Sequence, residues 1–405
     1  MKKYISNDFY FLFLVSVILL QSLRNISMVG YTLILLITYA MFFMKYKYGG
    51  AKLYKVNFIF LILYILFPII SLIQMPLNDY ITAMIRYCAL LPIAIFGLIY
   101  PNYIQKNMYS ILKIFCTIVF ISSLLMIYQT FFGTIEIFGE VTERLGRSRY
   151  TSLLGSTTAY GTIAPVALLI INLFKDMYSK KEKSILQIFI IIGGIICLSK
   201  SFYVNILIIY GLLFLDIKFE RRINIKKLIT IIVSVCIGII TLVLLIKYTP
   251  IGNYFNDMIN YTFNSKYNGV DEDLIDRLTV LPKHAFDFHK INLFNLLFGV
   301  GFKGYSGVLG LPNYPMCHNN YSDLILSQGI FFFCLIIFIY FKGIIINIRT
   351  KDSKGKFIFK LIAYILFNML AGQWNYLTPI PMIFTLVIVS FINLKKRDIS
   401  ISYIK

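Results

Sequence analysis

The sequence predicts an all-α, polytopic integral membrane protein, and three observations lead to this prediction. Apolar residues form 59% of the 405-residue chain and charged residues form 14%, whereas soluble domains contain about 45–50% and about 25%. Apolar stretches close to the ~20 residues that cross a bilayer recur along the whole chain. Basic residues are unevenly divided between the loops that join these stretches. We therefore expect a single membrane domain over 1–405.

About twelve of these stretches are predicted to be transmembrane helices. They cover 9–23, 26–44, 57–75, 80–100, 111–132, 151–174, 184–198, 202–216, 228–246, 320–341, 357–373 and 378–394. The seventh and eighth are short, and only Ser199-Lys200-Ser201 separates them. This pair is expected to form a tight hairpin that either crosses the membrane or dips into it.

The loop charges predict the orientation, because Lys and Arg collect in short cytoplasmic loops. With both termini inside, 27 of the 39 basic residues lie in cytoplasmic segments and 11 in outer ones. The formal charge of +21 then forms a coat facing the anionic lipids of the membrane, and nucleic-acid binding is not expected. The first apolar run lacks a small-residue cleavage site, so we expect a retained helix rather than a signal peptide.

Two outer loops are longer than simple connectors, at 133–150 and at 247–319, the large one between the ninth and tenth spans. Long loops in compact proteins are commonly functional. The apolar pattern over 281–297 suits a helix lying in the membrane interface. Five of the six cysteines fall within spans, so neither a disulfide framework nor a metal cluster is expected.

Three arginines, Arg144, Arg147 and Arg149, end the first outer loop. They break the charge trend, and a guanidinium offers a planar fork of donors suited to phosphate. They therefore indicate an anion site at the outer membrane face. The alternative is local pairing with acidic neighbours, namely Glu136, Glu140 and Glu143.

His318 stands where the large loop meets the tenth span. A histidine at the bilayer surface can serve as a general base near neutral pH. The alternative is a capping cluster, because the neighbouring Asn319, Asn320 and Ser322 are good helix-capping residues.

Arg86 is a further candidate, since it lies inside the fourth span and intramembrane charge usually serves a function. It could instead extend outward to the interface. Gly299-Val-Gly301-Phe-Lys-Gly304 matches G-x-G-x-x-G, but no dinucleotide-binding pattern surrounds it. That run is expected to be a flexible turn.

Taken together, these features resemble the O-antigen polymerase and ligase family, whose members use undecaprenyl-diphosphate-linked glycans. The resemblance covers most of the chain. It includes the spans, the arginine before the sixth span, and a late outer loop with an arginine, a G-x-G turn and a closing His-Asn-x-Tyr. Here these motifs are Arg149, Arg277, Gly299-Val-Gly301 and His318-Asn319-Asn320-Tyr321. Gly155-Ser156-Thr157-Thr158 stands where the family often has Gly-Asn-Pro-Asn. The resemblance assigns no functional role to Lys200.

The resemblance implies a GT-C-like glycosyltransferase in the bacterial cytoplasmic (inner) membrane, with its site facing the periplasm and no metal or cofactor. His318 would be the catalytic base. Arg149 and Arg277 would bind the donor diphosphate, and we add Arg147 and Arg86 as candidate diphosphate ligands. Membrane lipids, a chain-length regulator and a flippase would be its partners.

A repeat-unit polymerase, for O-antigen or capsule, is the preferred activity. A ligase that transfers glycan to lipid A core is the near alternative. A polysaccharide flippase is the alternative from another class, although transporters commonly carry internal repeats and helices interrupted at the midplane.

Overall fold

The protein is described here from a computed structural model. The structure describes residues 9–45, 54–138, 141–144, 147–214, 278–305, 319–348, 352–371 and 378–401, with short pieces at 266–267, 270–271, 311, 313–315, 317, 350 and 374. Within these residues the fold is all-α apart from two short hairpins. One pairs Thr142–Arg144 with Arg147–Arg149, and the other pairs Lys266–Tyr267 with Val270–Asp271.

Ten helices lie within the described residues of the first half of the chain. They are α1 (Phe9–Leu19), α2 (Ser22–Ile26), α3 (Met28–Lys45), α4 (Lys55–Gln74), α5 (Leu77–Cys88), α6 (Leu91–Ile99), α7 (Pro101–Phe132), α8 (Thr157–Leu173), α9 (Lys180–Ile196) and α10 (Lys200–Phe214). A 3₁₀ turn at Glu136–Phe138 precedes the first hairpin, and another at Lys175–Met177 joins α8 to α9.

The described part of the second half adds two short helices from the large loop, α11 (Val280–Phe288) and α12 (Leu293–Phe298), then a 3₁₀ turn at Gly301–Tyr305. Three long helices follow: α13 (Asn320–Asn347), α14 (Ser353–Ala371) and α15 (Pro379–Ile401). Helices thus lie at eleven of the predicted spans, while 228–246 and about half of 247–319 lie outside the described residues.

Membrane character follows from length and composition. Among the described residues α3, α4, α7 and α13 are each long and apolar enough to cross a bilayer, and α5 with α6 would make a fifth span bent by 47°. Many large apolar side chains on these helices are exposed, including Val29, Ile73 and Phe338. Apolar faces of this size indicate association with a membrane.

The prediction of one helix over 80–100 is wrong, because this stretch forms α5 and α6. Pro92 lies at the beginning of α6. A proline ring clashes with the carbonyl group four residues earlier, here that of Cys88, and it offers no N–H group. The helix therefore ends at Cys88 and restarts with a bend.

Helix α8 lies at the centre of the bundle. Its side chains are buried all round between Tyr160 and Ile171, which is typical of a core helix. The Tyr160 hydroxyl donates a hydrogen bond to the Ile190 carbonyl on α9 (3.0 Å) and lies 2.7 Å from Ser123 Oγ on α7. These bonds hold α7, α8 and α9 together.

The order of the helices defines two ends of the bundle. Gln129, near the end of α7, donates to the Thr151 carbonyl just before α8 (2.9 Å). Asn57, at the beginning of α4, donates to the Leu98 carbonyl near the end of α6. Helix α7 begins close by, at Pro101, so α4 and α7 begin at the same end of the bundle. The ends of α4 and α7 and the beginning of α8 therefore share one end, which we call the arginine end.

Candidate functional site at the arginine end of the bundle

Among the arginines predicted to bind an anion, Arg149 is the one for which the structure gives a side-chain hydrogen bond. It ends the first hairpin, is half-buried, and its Nε donates a 3.1 Å hydrogen bond to the Cys197 carbonyl. Cys197 lies in the tight connection between α9 and α10, where Leu198 adopts a positive φ of 49°. The predicted tight connection is confirmed, although it lies at 197–199 and α10 already begins at Lys200. Its backbone orients the Arg149 guanidinium.

The segment that follows Arg149 leads into a hydroxyl-rich helix start. Ser156 caps α8 by accepting a hydrogen bond from the Ala159 N–H group at 3.0 Å. Beside this cap lies a cavity of about 110 Å³. It is lined by Gln21, Leu154, Thr158, Ala159, Thr162, Ile163 and the Thr378–Pro381 segment that begins α15. The positive end of the α8 dipole and these hydroxyl groups favour an anionic or polyhydroxylated ligand.

Arg86 belongs to the last turn of α5 and is half-buried. Its positive charge acts on Arg24, on α2. Burial first, and then the charge of Arg86, lowers the pKa of the Arg24 guanidinium. Helix α2 also contacts the backbone after Arg149, since the Ser22 N–H group donates to the Leu153 carbonyl at 3.1 Å. Arg24 therefore joins Arg86 and Arg149 at the arginine end.

The other predicted residues are placed in part. Arg147 lies opposite Arg144 in the hairpin, which fixes its backbone but leaves its proposed contacts untested. Arg277 and His318 lie outside the described residues.

The residues that flank position 318 show how α13 begins. Asn319 is the N-cap, and its side chain accepts from the Ser322 N–H group at 2.8 Å. The Cys317 N–H group donates to the Asp323 carboxylate at 3.0 Å. The capping role expected for this cluster is thus confirmed at Asn319.

The G-x-G-x-x-G run is a tightly packed turn, so the prediction of a flexible turn is wrong. Gly299, Gly301 and Gly329 all have positive φ angles, and Gly329 breaks α13. A Cβ atom at Gly299 would overlap the Ser327 carbonyl, and one at Gly329 would overlap the Leu297 carbonyl. The break frees the Leu326 carbonyl, which accepts from the Val300 N–H group at 2.7 Å. The turn thereby satisfies a backbone group that the broken helix leaves unpaired.

A polar cluster that the sequence analysis missed joins α5 to the large loop. The Tyr314 hydroxyl donates to the Asp79 carboxylate at 2.7 Å, and the His289 ring stacks on the Tyr314 ring with centroids 6.0 Å apart. The Lys303 ammonium lies 5.8 Å from the centroid of the Tyr314 ring. Asp79 is the only acidic residue between positions 9 and 135. This isolation is the sequence feature by which the cluster could have been predicted.

Burial, the hydrogen bond to Asp79 and the Asp79 charge raise the pKa of Tyr314 to about 12. Burial, together with the nearby charge of Lys303, lowers the pKa of His289 to about 4. His289 is therefore neutral near pH 7, and a group with so low a pKa is a weak general base.

The arginine end can thus bind an anion through guanidinium groups and helix-terminal N–H groups, next to hydroxyl groups that can contact a sugar. No family model, no curated protein and no solved structure matches this chain.

Proposed function

We propose that this protein is a membrane glycosyltransferase that polymerises oligosaccharide repeat units carried on undecaprenyl diphosphate. The donor and the acceptor would both be lipid-linked, and the growing chain would pass to the acceptor sugar. The observation that carries this proposal is Arg149, a half-buried guanidinium held by the Cys197 carbonyl beside the hydroxyl-rich start of α8.

The proposed topology is a single GT-C-like membrane domain with about twelve crossings and with the arginine end facing outward from the bacterial cytoplasmic membrane. The 27 to 11 division of basic residues supports this orientation. The exposed apolar residues of α12, among them Leu293 and Phe294, suit a helix at the outer interface.

In the proposed reaction the acceptor hydroxyl attacks the anomeric carbon of the donor glycan. The new glycosidic C–O bond forms as the bond to the diphosphate oxygen breaks, and undecaprenyl diphosphate leaves. His318 takes the proton of the hydroxyl. Arg149 and Arg277 offset the charge that develops on the leaving diphosphate, with Arg147 and Arg86 as further candidate ligands.

One observation supports a positive site of this kind. Burial and then the charge of Arg86 lower the pKa of the Arg24 guanidinium, so these two cations share this region. Asn319 caps α13, as the capping alternative expects, and the role of His318 as a base stays a prediction.

The test is transfer between two purified lipid-linked repeat units in detergent. The wild-type protein should lengthen the glycan without added divalent metal. Arg149→Ala should reduce the rate at least about a hundredfold, and Arg149→Lys should restore little, because an ammonium cannot reproduce a bidentate fork. Lys283→Gln is the matched control, since Lys283 is exposed on α11.

Each variant must also be compared for abundance in the membrane and for melting temperature. A wild-type rate of transfer by Arg149→Ala would show that Arg149 is not part of the site. No transfer by the well-folded wild-type protein, with either lipid-linked units or lipid A core as acceptor, would overturn the proposed glycosyltransferase. Transfer to lipid A core alone would identify a ligase.

A flippase is the second candidate, and the broken helices favour it. The α5–α6 bend of 47° and the Gly329 break in α13 are the interrupted spans that transporters often contain. Detergent solution separates the two functions, because it has no second compartment into which a substrate could move. Translocation in proteoliposomes without transfer in detergent would support the flippase.

A further inference from the structure

A second cavity lies at the end of the bundle opposite the arginine end. It measures about 670 Å³ and is lined by residues from α7, α8, α9, α10, α14 and the 3₁₀ turn after α8. Helix α8 has 17 residues and so spans about 25 Å. That length separates this cavity from Arg149, and the proposed glycosyl transfer does not use it.

The charged side chains of this cavity are mainly basic. Lys175, Lys183 and Lys356 line it, whereas Asp176 is the only acidic lining residue. Lys183 and Lys356 are half-buried. Burial, and after it the charge of Lys175, lowers the pKa of Lys183, so the two ammonium groups repel each other.

The remaining wall suits a phosphorylated ligand at a membrane surface. Tyr109, Asn172 and Tyr210 contribute polar groups, while Leu173 and Leu213 are apolar. Lys354, in the first turn of α14, lies 5.2 Å from the centroid of the Tyr109 ring and adds positive charge nearby. Basic cavities between helices on the cytoplasmic side of membrane proteins commonly hold anionic lipid headgroups.

We propose that this cavity, which we call the lysine cavity, binds a phosphate-bearing anion through Lys175, Lys183 and Lys356. An anionic phospholipid headgroup and free inorganic phosphate share this chemistry, and the experiment separates them. The inference does not depend on the glycosyltransferase activity.

The test uses the purified full-length chain in nanodiscs of neutral phosphatidylcholine. One arm titrates phosphatidylglycerol and counts bound lipid by native mass spectrometry, and the other titrates inorganic phosphate by calorimetry. Lys183→Gln combined with Lys356→Gln should weaken binding of the relevant probe by about tenfold or more, since charge-assisted hydrogen bonds to phosphate are lost. Asp176→Asn should strengthen it severalfold by removing a like charge.

Lys181→Gln is the control, because Lys181 is exposed two residues from Lys183 and does not line the cavity. It should leave affinity within about twofold, as expected for a solvated charge. Binding of phosphatidylglycerol alone identifies a lipid site, and binding of inorganic phosphate identifies a soluble-anion site. The proposal is overturned if neither probe binds the wild-type chain, or if the double variant binds both as the wild type does.

Discussion

Two glycine-containing segments lie at the arginine end, and the structure uses them in opposite ways. Gly299, Gly301 and Gly304 bring the large loop against the backbone of α13 and against Ser71 on α4. Gly155 instead precedes a run of hydroxyl residues at the start of α8, of which Thr158 lines a cavity. A glycine motif therefore indicates close backbone contact in one case and an accessible helix start in the other.

The two segments also differ in what their glycines touch. Around Gly299 and Gly329 the neighbours of an added Cβ atom are backbone carbonyl and amide groups, which cannot move aside. At Gly155 the nearest neighbours are the Cβ atom of Gln21 at 2.9 Å and two Gln21 backbone atoms at 3.3 and 3.4 Å. An added Cβ atom at Gly299 or Gly329 would overlap with backbone at 2.0–2.5 Å, whereas one at Gly155 would make a less severe contact.

The largest effect is expected from Gly299→Ala or Gly329→Ala. Each change places a side chain at a φ of 82° with an extended ψ, a region that essentially only glycine adopts, which costs about 1–3 kcal/mol. It also forces an overlap with backbone, which adds about 1–3 kcal/mol. Either variant should lose most of its folded protein in membranes and melt at a much lower temperature in detergent.

Gly211→Ala is the matched control, because Gly211 lies in α10 with open space around it. It should leave the melting temperature unchanged or raise it slightly, by the helix propensity of alanine. Wild-type melting of Gly329→Ala would show that α13 does not dock on the Leu297–Phe298 backbone.

A smaller loss is expected from Gly155→Ala, about 1–2 kcal/mol, because its φ of +83° is strained for alanine while its contact with Gln21, at 2.9 Å, is less severe than the backbone overlaps at Gly299 and Gly329. Gly133→Ala separates the two causes, since Gly133 has a φ of +97° and open space around it. Comparing the two melting temperatures isolates the steric contribution at Gly155. Equal losses in both variants would mean that contact with Gln21 contributes nothing.

The smallest effect is a pH dependence of the docked loop. Because the pKa of His289 is about 4 in the folded protein and about 6.5 in an open chain, its stabilising contribution is present above pH 6.5. That contribution is lost as the pH falls from 6.5 towards 4. The ring is partly solvent-exposed, so we expect about 1 kcal/mol after allowance for screening.

Hydrogen exchange of residues 280–305 at pH 7 and pH 5, corrected for the slower intrinsic exchange at pH 5, would measure this loss as lower protection factors at pH 5. His289→Gln should remove that part of the pH dependence. An unchanged pH dependence in His289→Gln would assign it to other groups.

The sequence predicted these features unequally. Helix positions followed from apolar length, and the loop that ends at Arg149 was identified by its cluster of arginines. The α5–α6 bend was predictable from Pro92, whose effect on the preceding turn is local. Helix α7 is longer than predicted, at 32 residues, because its polar first turns from Pro101 continue the helix without being apolar. Pro101 itself suits the first helical position.

What could not be predicted is non-local. The Gly329 break depends on Leu297 and Phe298, about thirty residues earlier. The orientation of Arg149 depends on a carbonyl 48 positions away. The Asp79–Tyr314 hydrogen bond spans 235 positions. Periodicity and composition report local preference, whereas these contacts are set by how distant segments pack.

The Tyr160 hydroxyl has a consequence for the biosynthesis of this chain. Its two partners, Ser123 and Ile190, lie on helices synthesised before and after its own. Gly193 leaves room for the contact between Ser123 and Tyr160, since a Cβ atom there would lie 2.8 Å from both side chains. We expect α7 and α8 to leave the translocation machinery as a loosely associated pair, and α9 to complete their packing when it arrives. The centre of the bundle would therefore form about halfway through translation, before the large loop is made.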